Sequence, residues 1–300
     1  MRSPRASRTA RCPSPATQGF TLIELLVVIA ILGILAGIAI PVLKNFGRSD
    51  ATLGGSRQLL NDVAFARQKA ISLRTTVYMV FIPTNFWIDS LGKNTVTTPS
   101  DWWKNLSLAD QTAVTNLADK QLSGYTFIAY GAMGDQPGRH AWHYLQPWQS
   151  LPDGTFIAFQ KFTPTTNTIV DGINPNKVFN VIGFNIKTNN AFPFPDETGT
   201  NNNSGVIVLP YIAFNYLGQL TVDGQTVAPL DEYIPLAHGS VLPVRDPNTK
   251  DPVLPYLTAA LASSPAISEN PPGNSTNSSY NIVHIDRLSG HAILEFQQTQ

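Results

Sequence analysis

The stretch Gly19-Phe20-Thr21-Leu22-Ile23-Glu24-Leu25-Leu26-Val27-Val28-Ile29-Ala30 decides how this chain is read. It opens an apolar run that reaches Ile40, and Glu24 is the one charged residue between Arg11 and Lys44. As a helix rising 1.5 Å per residue, residues 20–40 would span about 30 Å, the thickness of a bilayer's hydrocarbon core. A carboxylate facing hydrocarbon costs about 2.5–3.5 kcal/mol on insertion scales. A simple anchor does not need such a group. Glu24 is therefore expected to meet a cation that arrives with an assembly.

Working outward, Arg2, Arg5, Arg8 and Arg11 make the preceding segment basic. Such a charge bias predicts a cytoplasmic N-terminus and export of everything beyond Lys44. An ordinary secretory signal would have a shorter apolar region followed by small residues at a cleavage site. Ala36-Gly37-Ile38-Ala39 could serve as that site, but this reading leaves Glu24 and the Gly19–Phe20 junction without a role.

These residues resemble the N-terminus of type IV pilins and type II secretion pseudopilins. The resemblance implies a prepilin peptidase that cuts between Gly19 and Phe20 and methylates the new amine of Phe20. It implies a cleaved basic leader (1–19), a transmembrane and assembly helix (20–43), an extracytoplasmic amphipathic helix (44–74) and a β-rich pilin-like domain (75–300). The expected location is the bacterial inner membrane, single-pass, with the globular domain in the periplasm or outside, followed by incorporation into a pilus or pseudopilus. The expected partners are other pilin or pseudopilin subunits, the peptidase, the inner-membrane assembly platform and membrane lipid.

Composition agrees with a structural role. Only 13% of the 300 residues are charged and the net charge is zero, so no basic footprint for nucleic acid is present. The single cysteine, Cys12, lies in the leader, which excludes disulfides and thiol chemistry from the mature chain. Frequent Pro, Asn, Ser and Thr suit a loop-rich β domain.

Pro41 ends the apolar run and is read as a bend in a longer helix, because proline removes a helical hydrogen bond. Gly47 and Gly54-Gly55 are expected to weaken the helix locally. From Ser56 it recovers: Leu59, Val63, Ala66, Ala70 and Leu73 are spaced 4, 3, 4, 3 and form one apolar stripe. After Arg74 the residues turn β-branched and aromatic, predicting a strand at Thr76–Ile82. Further strands are predicted at Tyr125–Tyr130, Thr155–Phe159, Val178–Ile186, Val206–Phe214, Gln219–Val222, Tyr280–Ile285 and Ala292–Phe296. Turns are expected at Asn215–Gly218, Asp223-Gly224 and Leu288-Ser289-Gly290. The last two strands should form a closing hairpin. Pro83–Ser123, with a short helix near Leu106–Leu117, Lys187–Ser204 and Arg245–Ser279 read as long insertions. The helix with Ala66-Arg67-Gln68-Lys69-Ala70-Ile71, the element Ile212–Gly218 and the terminal Ser289-Gly290-His291-Ala292 are similar to GspH/FimT-like pseudopilins.

The fold expected is therefore α+β, a long N-terminal helix packed on an antiparallel sheet. Under the resemblance, Glu24 of one subunit meets the Phe20 amine of a neighbour. Gly33 and Gly37 form a small-xxx-small pair that lets helices approach closely, or they loosen the helix locally. His140 and His143 supply only half a tetrahedral metal site, and the loop Asp246–Asp251 lacks the glycine of a calcium loop. No nucleophile elbow, P-loop or dinucleotide fingerprint occurs, so neither an enzyme nor a cofactor is expected. The function expected is a structural subunit of a type II secretion pseudopilus or type IV pilus, a minor one, with the major pilus subunit as the alternative in the same class. The alternative outside that class is a membrane-anchored extracytoplasmic binding module, for sugars, using Trp87, Trp102, Trp103, Trp142 and Trp148 as stacking surfaces.

Overall fold

A computed structural model describes residues 21–86, 107–131, 141–170, 174, 176–186, 191–196, 206–250, 252, 264–276 and 281–296. Side chains are described throughout these ranges except at 36–52, 206 and 296. The leader, Gly19, Phe20, Trp87, Trp102, Trp103, His140 and Asp251 lie outside the described residues. The protein divides into two compact units, 1–47 and 48–300.

Helix α1 (Leu22–Leu73) runs through Pro41, Gly47, Gly54 and Gly55 without a break in its assignment. The predicted stripe is its buried edge: Leu59, Val63, Ala66 and Ala70 are fully buried, and Leu73 packs alongside them. They face β1 (Thr76–Phe81), which pairs antiparallel with both β2 (Gly124–Tyr130) and β10 (Tyr211–Phe214). Alternate residues of a strand point to opposite faces. Val77, Met79 and Phe81 join the α1 core, while Tyr78 and Val80 join a second core with Val114 and Leu117 of α2 (Leu108–Ala118). Covering both faces explains why β1 is a nearly unbroken apolar run rather than an alternating one.

The first sheet has the order β11 (Leu220–Thr221), β10, β1, β2, β3 (Trp142–Tyr144), with β4 (Gln149–Ser150) also on β2. A second sheet closes the α1 core. It runs β13 (Ala266–Glu269), β12 (Glu232–Leu242), β14 (Asn281–Ile285), β15 (Ala292–Phe296), with β5 (Thr155–Ile157) on β12. Two ribbons complete the described strands, β6 (Asn167–Val170) with β7 (Val178–Val181) and β8 (Ala191–Pro193) with β9 (Val206–Val208). The terminal hairpin is β14 and β15, as predicted.

Several expectations need correction. Thr155–Phe159 stops as a strand at Ile157 and enters a 3-10 turn at Phe159–Phe162. Val206–Phe214 is two strands, because Pro210 interrupts it; its carbonyl instead accepts the Phe81 N–H at 2.9 Å. The insertions Lys187–Ser204 and Arg245–Ser279 carry strands of their own, β8 and β13. Gly54-Gly55 marks a close contact rather than a weak point of the helix. A Cβ on Gly55 would lie 2.8 Å from Cγ2 of the buried Thr155, whereas one on Gly54 would have only Pro152 at 4.0 Å. Gly55→Val should therefore destabilise by about 1–3 kcal/mol through overpacking against a stiff β-branched side chain. Gly54→Ala should gain up to about 1 kcal/mol from helix propensity. Thermal melting of the two variants checks both signs.

Polar contacts fix α1 against the sheets. Tyr125 donates to the Asp62 carboxylate and accepts from Gln58 at 2.6 Å. Burial pushes the Asp62 carboxyl up, and the Tyr125 hydrogen bond opposes part of that rise. Arg67 Nε donates to the Ser289 carbonyl at 2.7 Å. The two turns beside it touch: a Cβ on Gly290 would lie 2.0 Å from the Gly218 carbonyl oxygen, and both glycines have positive φ, 65° and 81°. Arg67 thus binds α1 to both hairpins named in the sequence resemblance.

Candidate functional site

The candidate site is the start of α1. The first backbone N–H groups of a helix lack intrahelical acceptors. Here Thr21 and Glu24 supply them reciprocally. Glu24 N–H donates to Thr21 Oγ1 at 3.3 Å, and Thr21 N–H and Oγ1–H donate to Glu24 Oε2 at 2.9 and 2.8 Å. This is a capping box, in which a Thr and a Glu three residues later close the first turn. The Thr21…Glu24 spacing is legible in the sequence and was not read there. Within its own chain Glu24 therefore already has Thr21 as a partner. Only Oε2 is engaged among the described residues, which leaves Oε1 open to a second donor.

Beyond the cap, Leu22, Ile23, Leu25, Leu26, Ile29, Leu32 and Leu35 are all exposed. Such a continuous apolar surface is a place for lipid or for other helices. A Cβ on Gly33 would meet nothing within 4 Å, so the surface there is open for a neighbour's approach. Gly37 and Pro41 belong to α1, and their surroundings lie outside the described side chains. Among the described residues, no helix is long and apolar enough to cross a membrane.

The other residues singled out above fall elsewhere. His143 sits half-buried on β3, and no group of three metal-ligating side chains occurs among the described residues. The Asp246 carboxylate accepts the N–H groups of Asn248 at 2.7 Å and Thr249 at 3.1 Å, and Lys250 Nζ donates to the Pro247 carbonyl at 2.6 Å. That loop is a turn closed on itself. Trp142 packs on Tyr78, Tyr130 and Phe192, whereas Trp148 packs on Tyr144 and Phe194. The two tryptophans line different clefts and do not form one patch.

A buried ion pair stands apart from these. Lys161, with no exposed side-chain surface, pairs with Glu232 and lies 4.8 Å above the Phe184 ring. Burial pushes the ammonium down and the carboxyl up, and each partner's charge opposes part of the other's shift. Burial on this scale serves the core, and neither group is presented to a ligand.

Residues 15–40 match the prokaryotic N-terminal methylation motif. No curated protein and no solved structure matches the chain. The chain thus carries the type IV pilin and pseudopilin signature over its first apolar segment, and the capping box falls within it.

Proposed function

We propose that this chain is a prepilin, processed between Gly19 and Phe20 and methylated on Phe20, whose mature form is a minor structural subunit of a type II secretion pseudopilus or a type IV pilus. The observation that carries this reading is the methylation motif over 15–40, with Glu24 as its only acid. Residues 20–43 span the inner membrane in the unassembled subunit, and the domain beyond them is exported. Assembly runs through the apolar surface of α1, with Gly33 and Gly37 admitting a close neighbour. Pro41 has no N–H to donate to the Gly37 carbonyl, and this is where the helix bends on packing. Long insertions between the strands favour a specialised, minor subunit over a repetitive major one. The chain's role is structural, and it is the substrate of the peptidase.

Intact-mass measurement of the membrane-extracted protein tests the processing. The expected mass is that of a chain starting at singly methylated Phe20. A chain starting near Ile40, or one retaining residues 1–19 in cells with active peptidase, contradicts the reading.

A further inference from the structure

A cleft of about 600 Å³ opens beside the end of α1, within the second compact unit. Its walls are Arg74, Tyr78, Tyr130, Trp142, Tyr216 and Asp223. That volume lies in the range of small-ligand sites. None of these residues belongs to the N-terminal assembly segment, and the core does not need all of them. Tyr130 is 41% exposed and Tyr216 is 56% exposed, so two large aromatic rings face solvent rather than the interior. Trp142 also lines the cleft, its ring 4.6 Å from that of Tyr130.

Tyr78 is the decisive residue. It is 96% buried, with 4% of its surface accessible, and lines the cleft, yet its hydroxyl makes no hydrogen bond among the described residues. The hydroxyl oxygen itself is not sealed in the core, so the hydroxyl can donate to a water or a ligand in the cleft. Burial, followed by the nearby Tyr211, Asp223 and Tyr130, pushes the Tyr78 phenol up, which keeps it a neutral O–H donor. Asp223 is exposed at the rim on the turn that follows β11, with Gln225 beside it, and Arg74 is exposed opposite. The rim therefore offers an acceptor, a two-way amide and a cationic donor around an aromatic floor.

We propose that this cleft binds a neutral carbohydrate, with the C–H face of a pyranose ring against Tyr130, Trp142 or Tyr216 and its hydroxyls bonded by Tyr78, Asp223, Gln225 and Arg74. One cation and one anion cancel at the rim, which selects against phosphates and carboxylates. Dense hydroxyls that donate and accept at once match the mixed donors and acceptors better than the sparse polar groups of an apolar peptide do. The site is independent of the pilin reading, since none of its groups lies in the methylation motif.

The test uses the full chain in a detergent without a sugar headgroup, applied to an array of defined neutral oligosaccharides. The best-bound oligosaccharide is then titrated calorimetrically. Tyr216→Ala removes an exposed ring, and Asp223→Asn keeps the oxygen that accepts the N–H groups of Gln225 and Thr226. Both variants should retain the wild-type melting temperature and lose at least tenfold in affinity. The proposal is overturned if no neutral oligosaccharide binds, if both folded variants bind within twofold of wild type, or if only peptides compete for these residues.

Discussion

Lys161→Met is expected to lower the stability of the folded domain by about 3–5 kcal/mol, because it strands the Glu232 carboxylate in the core without its cation. For a domain of this size that is a fall of about 6–20 °C in melting temperature. The Lys161 side chain has no exposed surface and that of Glu232 has 15%, so water can compensate little. The loss should also depend on pH. Glu232 already has its carboxyl pushed up by burial, and removing Lys161 removes the charge that held it down. A raised folded-state pKa favours the neutral carboxyl in the fold. The deficit is therefore small below the unfolded value and grows as pH rises through the folded one. Denaturation of Lys161→Met at mildly acidic pH should recover part of what is lost at neutral pH. Replacing both partners, as Lys161→Met with Glu232→Leu, should come close to wild type, because an apolar pair of similar volume has no charge to desolvate. A loss below about 1 kcal/mol in the single variant would mean the pair is solvated.

The second large effect belongs to Glu24. Two roles fall to this carboxylate. Within its own chain it closes the capping box with Thr21; in an assembly it would meet the Phe20 amine of a neighbouring subunit. The capping role needs an acceptor oxygen and no charge, since Gln serves at that position as well as Glu. The assembly role needs the charge, because an ammonium left unpaired between packed helices is unfavourable. Glu24→Gln therefore separates the roles, and Glu24→Ala removes both. Each variant is expected to insert in the membrane at the wild-type level and to fall at least tenfold in the filament fraction.

The parts of the fold that were legible in the sequence are those fixed by local pattern. The 4, 3, 4, 3 stripe from Leu59 to Leu73 became the buried edge of α1, and the β-branched run at Thr76–Phe81 became the central strand. The turns at Gly218, Gly224 and Gly290 need a positive φ, which the glycines announced. Missed elements owe their structure to distant partners. The longest of the described strands, β12, contains Glu232, Pro235, His238 and Gly239, none of which reads as strand. It forms because β14 and β5 flank it, and the Pro235 carbonyl accepts the Ala158 N–H at 2.9 Å. The same applies to the sites. Thr21 and Glu24 are three residues apart and their pairing could have been read. The Lys161–Glu232 pair and the aromatic cleft join segments far apart in the chain, and only the folded topology brings them together.

The central claim is that Glu24 acts through its charge during assembly. The most direct measurement compares wild type, Glu24→Gln and Glu24→Ala in membranes and in sheared filaments from the same cells. The account predicts equal amounts of all three in membranes, with wild type in the filaments and both variants at least tenfold depleted there. Glu24→Gln recovered in filaments at the wild-type level would contradict it, and would leave Glu24 as the helix cap and nothing more.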